Sequence, residues 1–219
     1  MTWKVESYDT FDQTEPATKV VPIVAHAHQM IVVTLGAADA RDYNFTGTFN
    51  GVALKVVASA EFEGDDDAGV SMKYLDISGL ATGNYNLYYT CSSGSPDAGS
   101  FAYVIISGGN GKDLKEDVDT DSGVDTNPTV NLTTTEPNTL LVDVLFSDGD
   151  NTKTKGAGQT QIFQIEQGGH GNRFCMSYKN VVAIGAATME WDNSNDECAY
   201  VGCAFNPAPN RGGIGLFFP

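Results

Sequence analysis

Carboxylates are the most abundant groups in this sequence with a chemical use, and they cluster. Asp65-Asp66-Asp67, Asp117-Val118-Asp119-Thr120-Asp121 and Asp148-Gly149-Asp150 each place several oxygen ligands within a few residues, the donor type that calcium takes. The second run starts like an EF-hand loop, which requires Gly at its sixth place and Glu at its twelfth. Ser122 and Pro128 stand there instead, so the EF-hand is excluded. A looser calcium site at one of the three clusters remains as one expectation, and plain hydrated loop acids are the other. No other cofactor is indicated.

The remaining chemistry is sparse. His26-Ala27-His28 on a strand would put both imidazoles on one face, but zinc needs a third and usually a fourth ligand and the sequence nominates none. A structural or solvent-facing pair is the competing reading. His170 sits in the turn-like Gly168-Gly169-His170-Gly171 with no recognisable partner. Cys91, Cys175, Cys198 and Cys203 are scattered and form no C-x-x-C, so they read as small buried hydrophobes, with a late disulfide as the alternative. There is no G-x-S-x-G, no Walker loop and no cysteine with a catalytic neighbourhood, and no enzyme is expected. A carboxylate pair for glycoside cleavage would be assembled by the fold and would leave no spacing to read.

The elements that must position these residues are strands. With 24 Gly and only 12 Lys and Arg in 219 residues, the composition suits turns and strands better than helices. The hydrophobic fraction of 41% is ordinary for a folded domain, and all-β domains commonly reach this length. A net charge of −16 repels phosphate backbones and anionic lipid, so neither nucleic acid nor membrane is an expected partner. The N-terminus has no apolar signal region and no run is long enough to span a bilayer, so synthesis in a cytoplasm without export is the expectation.

Short β-rich runs recur at 30–35, 43–49, 52–58, 70–77, 85–91 and 101–106, and again at 129–134, 140–146, 161–166, 174–178, 187–191 and 199–205. Turn signals such as Asn50-Gly51, Thr82-Gly83-Asn84 and Ser93-Gly94-Ser95-Pro96 separate them. The pattern predicts an all-β fold, a single two-sheet antiparallel β-sandwich over residues 20–208. Residues 1–19 read as an N-terminal arm or edge strand, 108–128 as a long acidic loop between two similar halves, and 209–219 as an apolar, glycine-rich tail. The halves align in order: Ile31-Val32-Val33 with Leu140-Leu141-Val142, Met72 with Met176, Tyr89 with Trp191, and Ala102-Tyr103-Val104 with Ala199-Tyr200-Val201. Internal duplication is one reading of this and chance recurrence of β-formers the other.

Tyr85, Tyr89, Tyr103, Trp191 and Tyr200 read as core aromatics. Trp3, Tyr8 and Phe11 at one end, with Ile214, Leu216, Phe217 and Phe218 at the other, read as anchors for a neighbouring subunit.

Several motifs carry a resemblance in their order along the chain. They are Phe49-Asn50-Gly51-Val52-Ala53-Leu54, Tyr74-Leu75 ahead of Leu80-Ala81-Thr82-Gly83-Asn84-Tyr85, and Gly156-Ala157-Gly158-Gln159-Thr160. Ser177-Tyr178-Lys179, Thr188-Met189-Glu190-Trp191 and Phe205-Asn206-Pro207 follow. Over most of residues 30–207 the chain resembles the β-sandwich structural proteins of tailed phages and their prophage relatives. The insertion at 111–125 and the tail after Pro209 depart from it. The resemblance implies a jelly-roll-like virion component, such as a capsid decoration, head-fibre or tail-associated protein, made in the host cytoplasm. Its implied partners are other capsid or tail subunits and copies of itself, a trimer being favoured. The alternative is a carbohydrate-binding sandwich module that uses calcium. A glycan-degrading enzyme is the third and weakest reading.

Overall fold

The strands are of two kinds, and their residues show the difference. Met30-Ile31-Val32-Val33 and Leu140-Leu141-Val142 are apolar at consecutive positions, which suits a strand covered on both faces. Residues 185–192 alternate in polarity, which suits a strand covered on one face, and residues 17–23 alternate in burial in the same way. The computed structural model describes residues 3–12, 17–38, 45–63, 68–91, 98–108, 114–149, 151–167 and 171–207. Among these, every regular element is a strand and every pairing is antiparallel.

The first half holds β1 (Lys4–Asp12), β2 (Ala17–Ile23), β3 (Gln29–Ala38), β4 (Phe45–Phe49), β5 (Val52–Ala53), β6 (Lys55–Phe62), β7 (Ala68–Asp76), β8 (Gly83–Cys91) and β9 (Ala98–Ser107). They form a five-stranded sheet, β1-β9-β3-β7-β6, and a four-stranded sheet, β2-β8-β4-β5. The second half holds β10 (Lys115–Asp125), β11 (Thr129–Thr134), β12 (Thr139–Ser147), β13 (Thr154–Lys155), β14 (Thr160–Gln167), β15 (Asn172–Val181), β16 (Gly185–Asp192) and β17 (Asp196–Phe205). Its sheets are β10-β17-β12-β15-β14 and β11-β16-β13. The second half thus repeats the strand order of the first, with β13 standing where the first half has β4 and β5. Asn50 and Gly51, at φ 50° and 77°, close the β4–β5 hairpin as a primed turn requires.

Three apolar cores separate four sheets. Ile31, Val33 and Tyr103 point from the first five-stranded sheet toward Val21, Leu87 and Tyr89 of the four-stranded one. The alternate residues Val32, Met72 and Val104 point the other way and meet Val142, Val144, Phe146 and Met176 of the second half. Leu141, Leu145 and Tyr200 then face Val130, Met189 and Trp191 across the third core. The chain adopts the expected all-β antiparallel sandwich architecture, with two such sandwiches, not one, packed back to back through their five-stranded sheets. The approach is close: a Cβ on Gly36 would lie 2.5 Å from the Phe174 ring and 2.7 Å from Phe146.

Two further expectations change, and of the two readings of residues 1–19 the edge strand is the one seen. Most of the acidic segment 108–128 is not a loop but β10, paired with β17 from Lys115–Phe205 to Asp125–Asp196. It looked like a loop because the apolar content of a strand was replaced by acids with a use of their own. Residues 1–19 contain edge strand β1 and the start of β2. The alignment of the two halves also shifts by one residue in the first strand. Thr34 opposes Met72 and Val144 opposes Met176, so Val33, not Thr34, is the counterpart of Asp143. A one-residue slip exchanges the faces of a strand, and Ile31 belongs with Leu141.

Candidate functional site

Strand geometry explains why the acids of β10 do not gather round one ion. Asp117, Asp119 and Asp121 are alternate residues, so their Cα atoms are about 6.6 Å apart along one face of the strand. The neighbouring edge strand β11 presents its N–H groups with the same two-residue repeat. Asp121 Oδ2 accepts from Thr129 N at 2.8 Å, Asp119 Oδ2 from Asn131 N at 2.7 Å, and Asp117 Oδ2 from Thr133 N at 2.6 Å. Glu116 continues the series, accepting from the N–H and hydroxyl of Thr135. The carboxylates act as substitute carbonyls, capping an edge that would otherwise be open to pairing. Among the described residues, no group of three or more His, Cys, Asp or Glu is placed to hold a metal ion. Asp148 lies at the end of β12, where its N–H donates to the Glu197 carbonyl at 2.9 Å. Asp65, Asp66, Asp67 and Asp150 lie outside the described residues.

Among the described residues, the most heavily bonded carboxylate is one that the sequence reading passed over. Asp143 is central in β12 and fully buried. Its Oδ1 accepts from the N–H and Oγ of Ser177, both at 2.8 Å. Its Oδ2 accepts from Tyr200 Oη at 2.6 Å, Gln159 Nε2 at 3.0 Å and Trp191 Nε1 at 3.1 Å. Gln159 also donates to Ser177 Oγ and accepts from Glu190 N. Burial pushes the Asp143 carboxyl up to about 6, against the pull of the Tyr200, Ser177 and Trp191 donors. The same pairing site in the first half is Val33 opposite Lys73. Lys73 is buried with its ammonium 5.1 Å from the Phe45 ring, and burial lowers its pKa. The signal for Asp143 was present: an acid inside Leu141-Val142-Asp143-Val144-Leu145 is an acid in a strand covered on both faces, where it must be paired.

Two of the N-terminal aromatics, Trp3 and Phe11, are engaged inside this chain. Trp3 is 4% exposed in the central core, and its Nε1 donates to the Asn138 carbonyl at 2.8 Å. It ties the first strand of one half to the lead-in to β12 in the other. Phe11 is half-buried against Tyr89 and Phe101, with ring centroids 5.3 and 6.1 Å away. Tyr8 is 50% exposed, its ring 6.2 Å from Phe163. Ile214, Leu216, Phe217 and Phe218 lie outside the described residues. Tyr89, Tyr103, Trp191 and Tyr200 are buried, in accord with a core role, and Tyr85 is partly so.

His26 and His28 are not on a strand. They lie in the connection from β2 to β3, His26 exposed and His28 half-buried, where the His28 N–H donates to His26 Nδ1 at 3.4 Å. His26 also lines a cleft of about 280 Å³ with Glu6, Pro22, Val24, Gln29 and Ile105. The carboxylate there is occupied: Glu6 accepts from Lys4 Nζ at 2.8 Å and Ser107 Oγ at 2.6 Å, and these bonds lower its pKa. One carboxylate held by two donors is not the opposed acid and base that glycoside cleavage uses. Cys175, Cys198 and Cys203 are free and buried. Compared with protein-family models, curated proteins and solved structures, the chain finds no match.

Proposed function

We propose that this protein is a non-enzymatic structural component, a rigid surface block of a virus particle set among copies of itself and other virion proteins. The observation that carries the reading is how the chain employs its reactive groups. The five donors on Asp143, the carboxylates capping β11 and the Trp3 indole all hold sheets together, and none opens on a cleft. Two inner sheets buried on both faces resist bending, which suits a building block. The repeated order β1-β9-β3-β7 over β2-β8-β4 is read here as jelly-roll-like, and the phage setting comes from the motif resemblance. With Trp3 and Phe11 engaged inside the chain, attachment falls to the tail at 212–219 and to exposed sheet faces.

The test is sedimentation of a native lysate on a density gradient, with fractions probed for this chain and for particle markers. Co-sedimentation with particles through a moderate salt wash supports the reading; recovery only in the light soluble fractions removes it. Deleting residues 212–219 is expected to reduce particle occupancy without unfolding the chain. The carbohydrate-binding reading is favoured by one observation, the 41% exposed Tyr88 on an outer sheet, while both tryptophans are buried.

A further inference from the structure

The two outer sheets occupy equivalent places in the two halves, yet their surfaces differ in charge. In β2, β8, β4 and β5 the only charged residue is Lys19. It is turned away from the outer face, paired with Asp9 at 2.7 Å and set 5.1 Å from the Phe11 ring. Cross-strand register defines what faces outward. Thr18, Tyr88, Thr48 and Ala53 form one row, and Val20 with Asn86 the next. The rows on either side add only threonine, asparagine and proline. Val20 is 54% and Tyr88 41% exposed. The twin sheet, by contrast, presents Glu190 and Asp192 on β16 and lies beside the acids of β10.

Surfaces of soluble domains carry a charge at roughly one residue in three or four, and this chain has a net charge of −16. An outward face with none is a departure that requires a cause. Two copies of so acidic a chain repel wherever charged faces meet. Burying an unpaired carboxylate would add a desolvation cost. The neutral face is where two copies can come together without either penalty, and an exposed Tyr beside an apolar residue is the composition of an interface centre.

We propose that the outer face of β2-β8-β4-β5 is a self-association surface, pairing with the same face of a second copy across a two-fold axis. Strands about 4.8 Å apart and residues about 3.3 Å apart give the face roughly 400 Å², about half the 800 Å² per partner of a standard stable interface. The pair is therefore weak and reversible alone, and gains strength where many copies are held together. The contact rests on charge and register, independently of whether the chain is found on a particle. It is isologous, whereas the trimer implied by the resemblance needs a heterologous contact.

Sedimentation velocity of the full chain over a wide concentration range, at about 0.05 M and about 0.5 M salt, tests it. The expected result is reversible dimerisation that tightens with salt, because screening removes the net repulsion. Tyr88→Asp is expected to weaken it at least about 10-fold. Asn86→Asp, nearly isosteric and exposed, weakens it in the same direction should Tyr88→Asp fail to fold. Ala186→Asp, on the twin face, leaves it unchanged. A monomer under all conditions overturns the proposal, as does association that weakens with salt or ignores both face variants. A monomer retained on a neutral polysaccharide through Tyr88 also overturns it, and assigns the face to a glycan.

Discussion

Replacing Asp143 by asparagine tests whether the buried carboxylate is held by its donors at a cost. The native carboxyl sits at about 6 against an ordinary 3.8 because burial disfavours its charge. At neutral pH that difference amounts to about 3 kcal/mol of lost stability. The sign follows from proton binding. Between about 4 and 6 the folded state holds the proton and the unfolded state does not, so this group's contribution to stability falls as pH rises, by about 1.4 kcal/mol per pH unit, and levels off above about 7. The substitution would remove the charge but place an NH2 where only donors point, at Trp191 Nε1 and Gln159 Nε2 or at the Ser177 N–H. At least one buried donor is then orphaned, costing about 1–3 kcal/mol, and bonds of about 1.5–3 kcal/mol each to a charged acceptor are weakened. We expect Asp143→Asn to be about 2–4 kcal/mol less stable than wild type near pH 5 and closer to it near pH 8. Urea unfolding at pH 5, 6, 7 and 8 (followed by tryptophan fluorescence and far-UV circular dichroism) measures the difference, and subtraction removes every other titrating group. A wild-type-minus-variant difference that is flat with pH would refute the raised carboxyl, and one that grows with pH would reverse the argument.

Truncating the ladder by Asp119→Ala should cost about 1 kcal/mol and speed exchange of the Asn131 amide proton, whose acceptor it removes; hydrogen exchange by NMR reads this residue by residue, and an unchanged Asn131 rate contradicts the capping role. Gly36→Ala should destabilise by about 1–3 kcal/mol through overpacking against Phe174 and Phe146, whereas Gly51→Ala, at φ 77° with open space around it, should cost about 1 kcal/mol from its backbone alone; equal thermal shifts would argue against the close approach of the halves. Burial pushes the thiols of Cys175 and Cys203 up and that of Cys198 to about 12, so iodoacetamide should leave all three unmodified in the native protein and alkylate them in urea. Mass spectrometry of the native reaction showing rapid modification of any one of them would contradict its burial.

Much of this protein was determined by local sequence. Composition and evenly spaced turns specified an all-β fold, because Asn50-Gly51 and its like can close a hairpin without help from distant residues. The matched motifs of the two halves, read in order, corresponded to a strand order that does repeat. Part of the layering was present in the strands: consecutive apolar residues at 30–33 and 140–142 require cover on both faces, and the alternation at 185–192 requires it on one.

Other features depended on partners far away in sequence. Residues 115–125 lack the apolar side chains that announce a strand, since their register with β11 and β17 makes carboxylates useful there. Acids at two-residue spacing look alike whether they await a cation or cap an edge, and only the strand beside them decides. Trp3 looked free to reach a neighbour until the fold placed the Asn138 carbonyl within 2.8 Å of its indole nitrogen. Asp143 needed Ser177, Gln159, Trp191 and Tyr200 to be brought round it from three other strands and a turn. The neutral face likewise emerges only once β2, β8, β4 and β5 lie side by side, since no single segment shows that four strands share one uncharged surface. Local chemistry chose the elements; the distances between elements, which no short stretch of sequence contains, chose what their side chains do.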